Sequence, residues 1–219
     1  MRKYFKFPIY LIVFAGISLA NAGSYEDFFS AIKQDNARVV SNLLERGFDP
    51  NALDPKGMHG LFLAVQEPSP KVAEVLIRWP KTNVEFRTVK DESPLMLASL
   101  RGHVALVKKL IERGADVNKT GWTPLHYAAT SGHLEIMNLL LEHHAYIDAE
   151  SPNGTTPLMM AANYGTIDAV KLLLEAGADP MLRNQLGMTA IDFANKAGRT
   201  EAAELIAAMR RSQQPRGKW

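Results

Sequence analysis

Residues 122–133 read WTPLHYAATSGH, with two histidines, two threonines, a serine and a tyrosine in twelve positions. Ten residues further on comes the pair His143-His144. An imidazole beside a hydroxyl can act as general base for a nucleophile, and clustered histidines can ligate a metal. His126, His133, His143 and His144 are therefore the residues on which a hydrolase or metal-dependent reading would rest. The spacing speaks against it. Adjacent side chains diverge on a helix, so His143-His144 makes a poor chelate by itself. The sequence holds no H-E-x-x-H, no G-x-S-x-G and no G-x-x-x-x-G-K, the patterns that carry zinc, acyl-transfer and phosphate chemistry. It also has no cysteine, which excludes disulfides, thiolate metal sites and cysteine nucleophiles.

The same twelve residues make sense as the start and end of a helix. Thr123 is placed as an N-cap whose hydroxyl accepts a backbone N–H of the first turn, and Pro124 sits at N1, where its missing N–H costs nothing. Gly132 permits a tight turn. The next stretch, LEIMNLLLEHH, spaces Ile136, Leu139 and Leu140 for one helix face, with Met137 and Leu141 on the adjoining face. A helix apolar on two faces must be covered from two sides, so such a unit needs stacked neighbours.

Those neighbours are in the sequence. Thr123-Pro124-Leu125 recurs as Thr156-Pro157-Leu158 and as Thr189-Ala190-Ile191, each 33 residues on, and Ser93-Pro94-Leu95 lies 30 residues upstream. Gly114-Ala115-Asp116 recurs as Gly177-Ala178-Asp179, with Gly47-Phe48-Asp49 as an earlier relative. A sustained period near 33 with T-P-L-H marks a stacked helical repeat, and the chain resembles the ankyrin-repeat family from Tyr25 to Met209. The resemblance implies an all-α solenoid of about six helix-turn-helix units with hairpin fingers between them. Full-pattern units begin near Glu92, Trp122 and Thr155, with capping units at Tyr25–Asn51 and Met188–Met209. His59–Val84 is a degenerate unit. There Pro68 and Pro70 are expected to interrupt the helix-turn-helix, and Trp79-Pro80 replaces the glycine that closes the second helix, making this the weakest internal link. His126 shares its position with Met96, Met159 and Phe62, which reads as a packing slot. His103 and His133 follow the turn glycine, and His144 stands where Gly47, Gly114 and Gly177 stand, at the left-handed end of the second helix.

The ends carry a different message. Arg2, Lys3 and Lys6 precede an uncharged apolar run from Ile9 to Leu19 that closes on Ala20-Asn21-Ala22, the pattern of a cleaved secretory signal over residues 1–22. The run is too short for a bilayer, which needs ~20 residues. Without these three cations the net charge falls from +2 to −1. Residues 210–219, RRSQQPRGKW, hold four more cations and read as a basic flexible tail. The repeat body, 23–209, is thus mildly acidic and has no long-range attraction for nucleic acid. The expected location is the periplasm, with secretion from the cell as second choice, and no membrane insertion after cleavage.

In a solenoid the repeated residues hold the stack and the unrepeated ones face a partner. The resemblance implies two such surfaces, the fingers and the groove formed by the first helices. The fingers are Leu53–Met58, Arg87–Glu92, Lys119–Trp122, Glu150–Thr155 and Arg183–Met188, the third being three residues short. On the groove side the expected partner-binding residues are Trp122, Tyr127, Arg101 and Met160, together with Asn163, Tyr164, Phe193 and Lys196. Trp122 and Tyr164 are the expected anchors, because large aromatics there are not required by the stack. The sequence reading is a monomeric protein-binding scaffold that stabilises, tethers or inhibits another protein, or an effector released from the cell. It has no catalytic residue, no metal and no cofactor.

Overall fold

The computed structural model describes residues 23–213. The signal segment 1–22 and the last six residues of the basic tail lie outside them. Among the described residues the regular structure is helical, with one isolated antiparallel bridge between Leu53 and His59. The chain divides into two compact units, Met1–Asn83 and Val84–Trp219.

The first unit holds α1 (23–33), α2 (Ala37–Glu45), α3 (Gly60–Gln66) and α4 (Pro70–Arg78). Its core is Phe28, Ile32, Val40, Leu61, Val72 and Leu76, all enclosed. Here the sequence expectation fails in one respect: the prolines do not break the unit. Pro70 is the first residue of α4, where a ring with φ near −65° and no N–H is tolerated. The preceding Ser69 donates its hydroxyl to the Ile32 carbonyl at 2.6 Å, and Asp35 Oδ1 accepts the Val72 N–H at 2.9 Å. The first turn of α4 is therefore capped by residues of the repeat before it.

The second unit is a four-repeat stack. Its inner row is α5 (Pro94–Arg101), α7 (Pro124–Ser131), α9 (Pro157–Asn163) and α11 (Ala190–Lys196). Its outer row is α6 (Val104–Glu112), α8 (Leu134–Glu142), α10 (Ile167–Glu175) and α12 (Thr200–Gln213). Each helix touches its neighbours along its own row and its partner in its own repeat. Leu95, Leu125 and Leu158 are wholly enclosed, as are the alanines that let the inner helices approach closely, Ala128, Ala129, Ala161 and Ala162. In α8 Ile136, Met137 and Leu140 are buried, with Leu139 and Leu141 half-buried, which is the two-sided pattern that stacking requires. The tail expected from residue 210 begins later, because α12 continues through Arg210 and Arg211 to Gln213. No glycine or proline occurs there before Pro215, and arginines in the last turn suit the negative end of the helix dipole.

The turn glycines differ in cause. Gly102 and Gly132 cap α5 and α7 at φ +76° and +70°, the left-handed region that favours glycine. Gly165, expected to be their counterpart, does not have a positive φ. A Cβ there would lie 2.3 Å from the Ala129 carbonyl oxygen and 2.9 Å from the Ala161 Cα, so close approach of backbones is what requires it. His144 does take the left-handed position, at φ 63°, as its place in the repeat predicts.

A second periodicity is hidden in the loops. Asn51 Oδ1 accepts the Asn83 N–H at 2.7 Å, and Glu85 Oε1 accepts the Asp116 N–H at 2.8 Å. Asn118 Oδ1 accepts the Tyr146 N–H at 2.7 Å, and Asp148 Oδ1 accepts the Asp179 N–H at 3.1 Å. At each of these junctions a side chain of one repeat holds the backbone of the next. Burial raises the carboxyls of Glu85 and Asp148 above their usual range, while the accepted N–H opposes that rise.

Candidate binding groove

The inner helices of the second unit begin in the same way. At N3 a side chain reaches back to the N-cap N–H: Met96 sulfur to Ser93 at 3.2 Å, His126 Nδ1 to Thr123 at 3.2 Å, Met159 sulfur to Thr156 at 3.4 Å and Asp192 Oδ2 to Thr189 at 2.8 Å. The slot is for packing, as its methionines suggest, but it also demands an acceptor. Thr123 departs from its expected role. Its hydroxyl lies 2.9 Å from His126 Nδ1, and the His126 N–H turns to the Thr123 carbonyl at 3.0 Å. His126 Nε2 lies 2.8 Å from the Thr155 carbonyl. A carbonyl only accepts, so Nε2 carries the proton and Nδ1 takes the Thr123 donors. Both nitrogens are spent on holding one repeat to the next. Burial pushes the imidazole down to about 4, which keeps it neutral.

The other histidines are also structural. His59 Nδ1 accepts the Leu61 N–H at 3.1 Å and Nε2 faces Asn51 Oδ1 at 3.1 Å, with burial lowering its pKa to about 4. His133 starts α8 and its Nε2 reaches the Leu100 carbonyl at 3.1 Å. His103 starts α6, and burial lowers its pKa, with Arg101 and His133 adding to the effect. His143 and His144 are both exposed at the end of α8.

With the backbone so fixed, the inner row presents side chains that the scaffold does not use. An open cleft of 460 Å³ is lined by Trp122, Met160, Asn163, Tyr164, Phe193 and Lys196, together with finger residues that include Leu186 and Met188. Six of the eight residues expected to bind a partner thus meet in one place. Tyr127 lies beside it in a depression of 200 Å³ that shares Trp122 and Met160. Arg101 lines neither and stands exposed on α5. Tyr127 points its hydroxyl at Glu92 Oε1, 3.5 Å away, and burial with the nearby carboxylates pushes the phenol up to about 12.

The anchors differ in setting. Trp122 is half-buried with its ring edge-on to His126, the centroids 5.2 Å apart. Tyr164 caps α9 and is 64% exposed. Sequence reasoning missed Leu186, which is 79% exposed on the last finger. The signal was there, because the finger positions equivalent to Leu186 are Lys56, Lys90 and Asn153. Four fingers close alike: Asp54, Thr88, Ser151 and Asn184 each donate their N–H to the carbonyl four residues on, at 2.8–3.0 Å. The short finger is bridged to the one before it by an ion pair between Lys119 and Asp91. Chemically, the groove offers apolar area with a few polar heads at its rim.

The likeness to known proteins follows the same repeat. Ankyrin repeats are recognised in three overlapping copies, over residues 28–120, 61–151 and 144–214. The 2-5A-dependent ribonuclease of Mus musculus is 40% identical over 79 residues, which is 34% of this chain and 11% of that protein. Neurogenic locus notch homolog protein 2 of Homo sapiens is 33% identical over 123 residues, covering 55% of this chain and 5% of that protein. The B-cell lymphoma 3 protein homolog of Mus musculus is 31% identical over 123 residues, covering 53% and 28%. The chain therefore spans a small part of these relatives, and what they share with it is the repeat. A period of 33, helix pairs capped in one manner and three matched copies that together run from residue 28 to 214 have one common explanation: this chain belongs to the ankyrin-repeat family.

Proposed function

We propose that the protein is a scaffold that grips a partner protein in the cleft between α9 and α11, with Trp122 and Tyr164 as anchors. Ankyrin repeats mediate protein–protein interaction, and this cleft is where the family's general property takes a form particular to this chain. One observation carries the reading: residues that break the repeat, Trp122, Tyr164 and Leu186, converge on one cleft. Aromatics in such positions bury much area at small entropic cost. We place the protein outside the cytoplasm, in the periplasm, on the strength of residues 1–22. The partner would there be stabilised, tethered or inhibited.

Two experiments test this. A photo-crosslinking residue at Tyr164 should capture a partner in the native compartment, while the same residue at Glu142, exposed on α8, should not. Equal capture from both positions overturns the groove assignment. N-terminal sequencing of the exported protein should begin at Gly23, and a membrane-bound product that keeps Met1 overturns the export reading.

A further inference from the structure

The cleft has a polarity, and it points to the chemistry of what fills it. One end is apolar: Leu186 and Met188 from the last finger, with Trp122 opposite and Met160 and Phe193 along the floor. The other end is where α9 and α11 finish, at Asn163 and Lys196, with Tyr164 as the cap of α9. Lys196 is the one charged side chain among the lining residues, and no acidic side chain lines the cleft. The nearest acid on its own helix face, Asp192, is held by the Thr189 N–H and hydroxyl, both at 2.8 Å. Among the described residues, Lys196 makes no ion pair and the Asn163 amide and Tyr164 hydroxyl make no hydrogen bond. Asn184, by contrast, is occupied with the Leu186 and Met188 N–H groups. At the positions equivalent to Lys196 the other repeats of this unit have Leu100, Thr130 and Asn163, so the stack does not ask for a cation there.

Resting on the groove reading above, we propose that the partner enters the cleft as a short extended segment that sets a bulky apolar side chain between Leu186 and Phe193 and an aspartate or glutamate on Lys196. The charge complement requires an anion at that end, and the floor requires apolar area at the other. A side-chain carboxylate suits the site better than a chain terminus. Terminal carboxylates are captured by arrays of backbone N–H groups, whereas α9 and α11 present their carbonyl ends here. An extended segment suits the space, because α11 has seven residues and is about 10 Å long. Three extended residues at roughly 3.3 Å each cover that distance. Alternate residues of a strand share a face, so the apolar residue and the acid should stand two positions apart.

The test is selection of random heptapeptides displayed on phage against the purified full chain, followed by affinity measurement with the enriched peptides. The expected result is enrichment of an aromatic or large aliphatic residue two positions from Asp or Glu. Lys196→Gln should weaken the selected peptides about three- to fivefold, the scale of a solvent-exposed ion pair, and less so in high salt. Lys196→Glu should turn the selected preference from acidic to basic residues. Trp122→Ala should weaken them about thirtyfold, as an anchor does. Peptides that depend on Trp122 but carry no acid, or that bind Lys196→Glu unchanged, overturn this chemistry and leave the groove reading standing. Peptides indifferent to both Trp122→Ala and Tyr164→Ala, or a selection that yields none, overturn both. Melting of each variant beside the parent protein shows that the fold is intact.

Discussion

The second and fourth repeats join their two helices by different means. In the fourth, Gly132 turns the chain in the left-handed region, and the repeat closes with its own residues. In the second, α3 ends on Glu67 in an extended conformation and α4 starts at Pro70. What completes that turn is borrowed: the Ile32 carbonyl takes the Ser69 hydroxyl and Asp35 takes the Val72 N–H. The ends of the second helices differ as well. α8 passes into the left-handed His144, whereas α4 passes into an extended Trp79 before Pro80. A repeat can thus lose its sequence signature and keep its shape, provided a neighbour supplies the missing partners. Such a repeat should be less able to stand when that neighbour opens.

The largest expected effect separates the core of the fourth repeat from its surface. Leu140 is wholly enclosed, so Leu140→Ala should cost ~2–5 kcal/mol of folding. Trp122→Ala, at a half-buried site, should cost about 1 kcal/mol or less. Thermal melting of both variants decides it, and if the two melt alike Trp122 belongs to the core and not to the groove.

Acid should act on both repeats through their buried histidines. His59 and His126 have folded pKa values lowered to about 4 from 6.5. Below pH 6.5 the unfolded chain takes up protons that the folded one refuses, so their full contribution is present above 6.5 and is lost as pH falls toward 4. At pH 5 the loss should be about 2 kcal/mol for each histidine. Glu85 and Asp148, raised by burial, work in the opposite sense, since in their own lower range acid favours the folded form. Denaturant unfolding at pH 7 and pH 5 measures the difference. His126→Gln, which keeps an acceptor at N3 but does not titrate, should shrink the pH dependence of the fourth repeat's unit. An unchanged dependence would show that the ring is not held neutral.

Borrowed capping makes a smaller and more local prediction. Asp35→Ala should destabilise the first unit by about 1 kcal/mol, as loss of a helix cap does, and should expose the Val72 amide to hydrogen exchange. In the unaltered protein the amides of 59–84 should exchange ahead of those of 123–175. The reverse order would mean that the borrowed contacts hold the second repeat as firmly as its own would. The smallest effect is a gain. His144→Gly relieves a left-handed non-glycine residue and should raise stability by up to ~1 kcal/mol, read as a higher melting temperature.

What was legible in the sequence is what the repeat states many times. The 33-residue spacing, the prolines at N1 and the two-faced leucines of α8 each follow from local rules, and the structure agrees with them. Six of the expected groove residues were legible for the opposite reason, since they break the pattern. What escaped reading depends on atoms distant in sequence. That methionine sulfur serves as the N3 acceptor cannot be seen in a slot that looks apolar. Gly165 looks like a turn glycine until the Ala129 carbonyl is found beside it. Leu186 looks like loop until the fingers are aligned, and the partners of Asn51, Glu85, Asn118 and Asp148 lie 28 to 32 residues away.

Those four side chains bear on how such a protein can change over generations. Each bond joins the base of one repeat to the base of the next and spans the finger between them without engaging it. The finger before Trp122 is three residues shorter than its neighbours, yet Asn118 still holds Tyr146 at 2.7 Å. Finger length is therefore a free variable. Insertions and deletions there redraw the surface shown to a partner while the joints of the stack keep their geometry, so recognition can drift at a rate the fold does not limit.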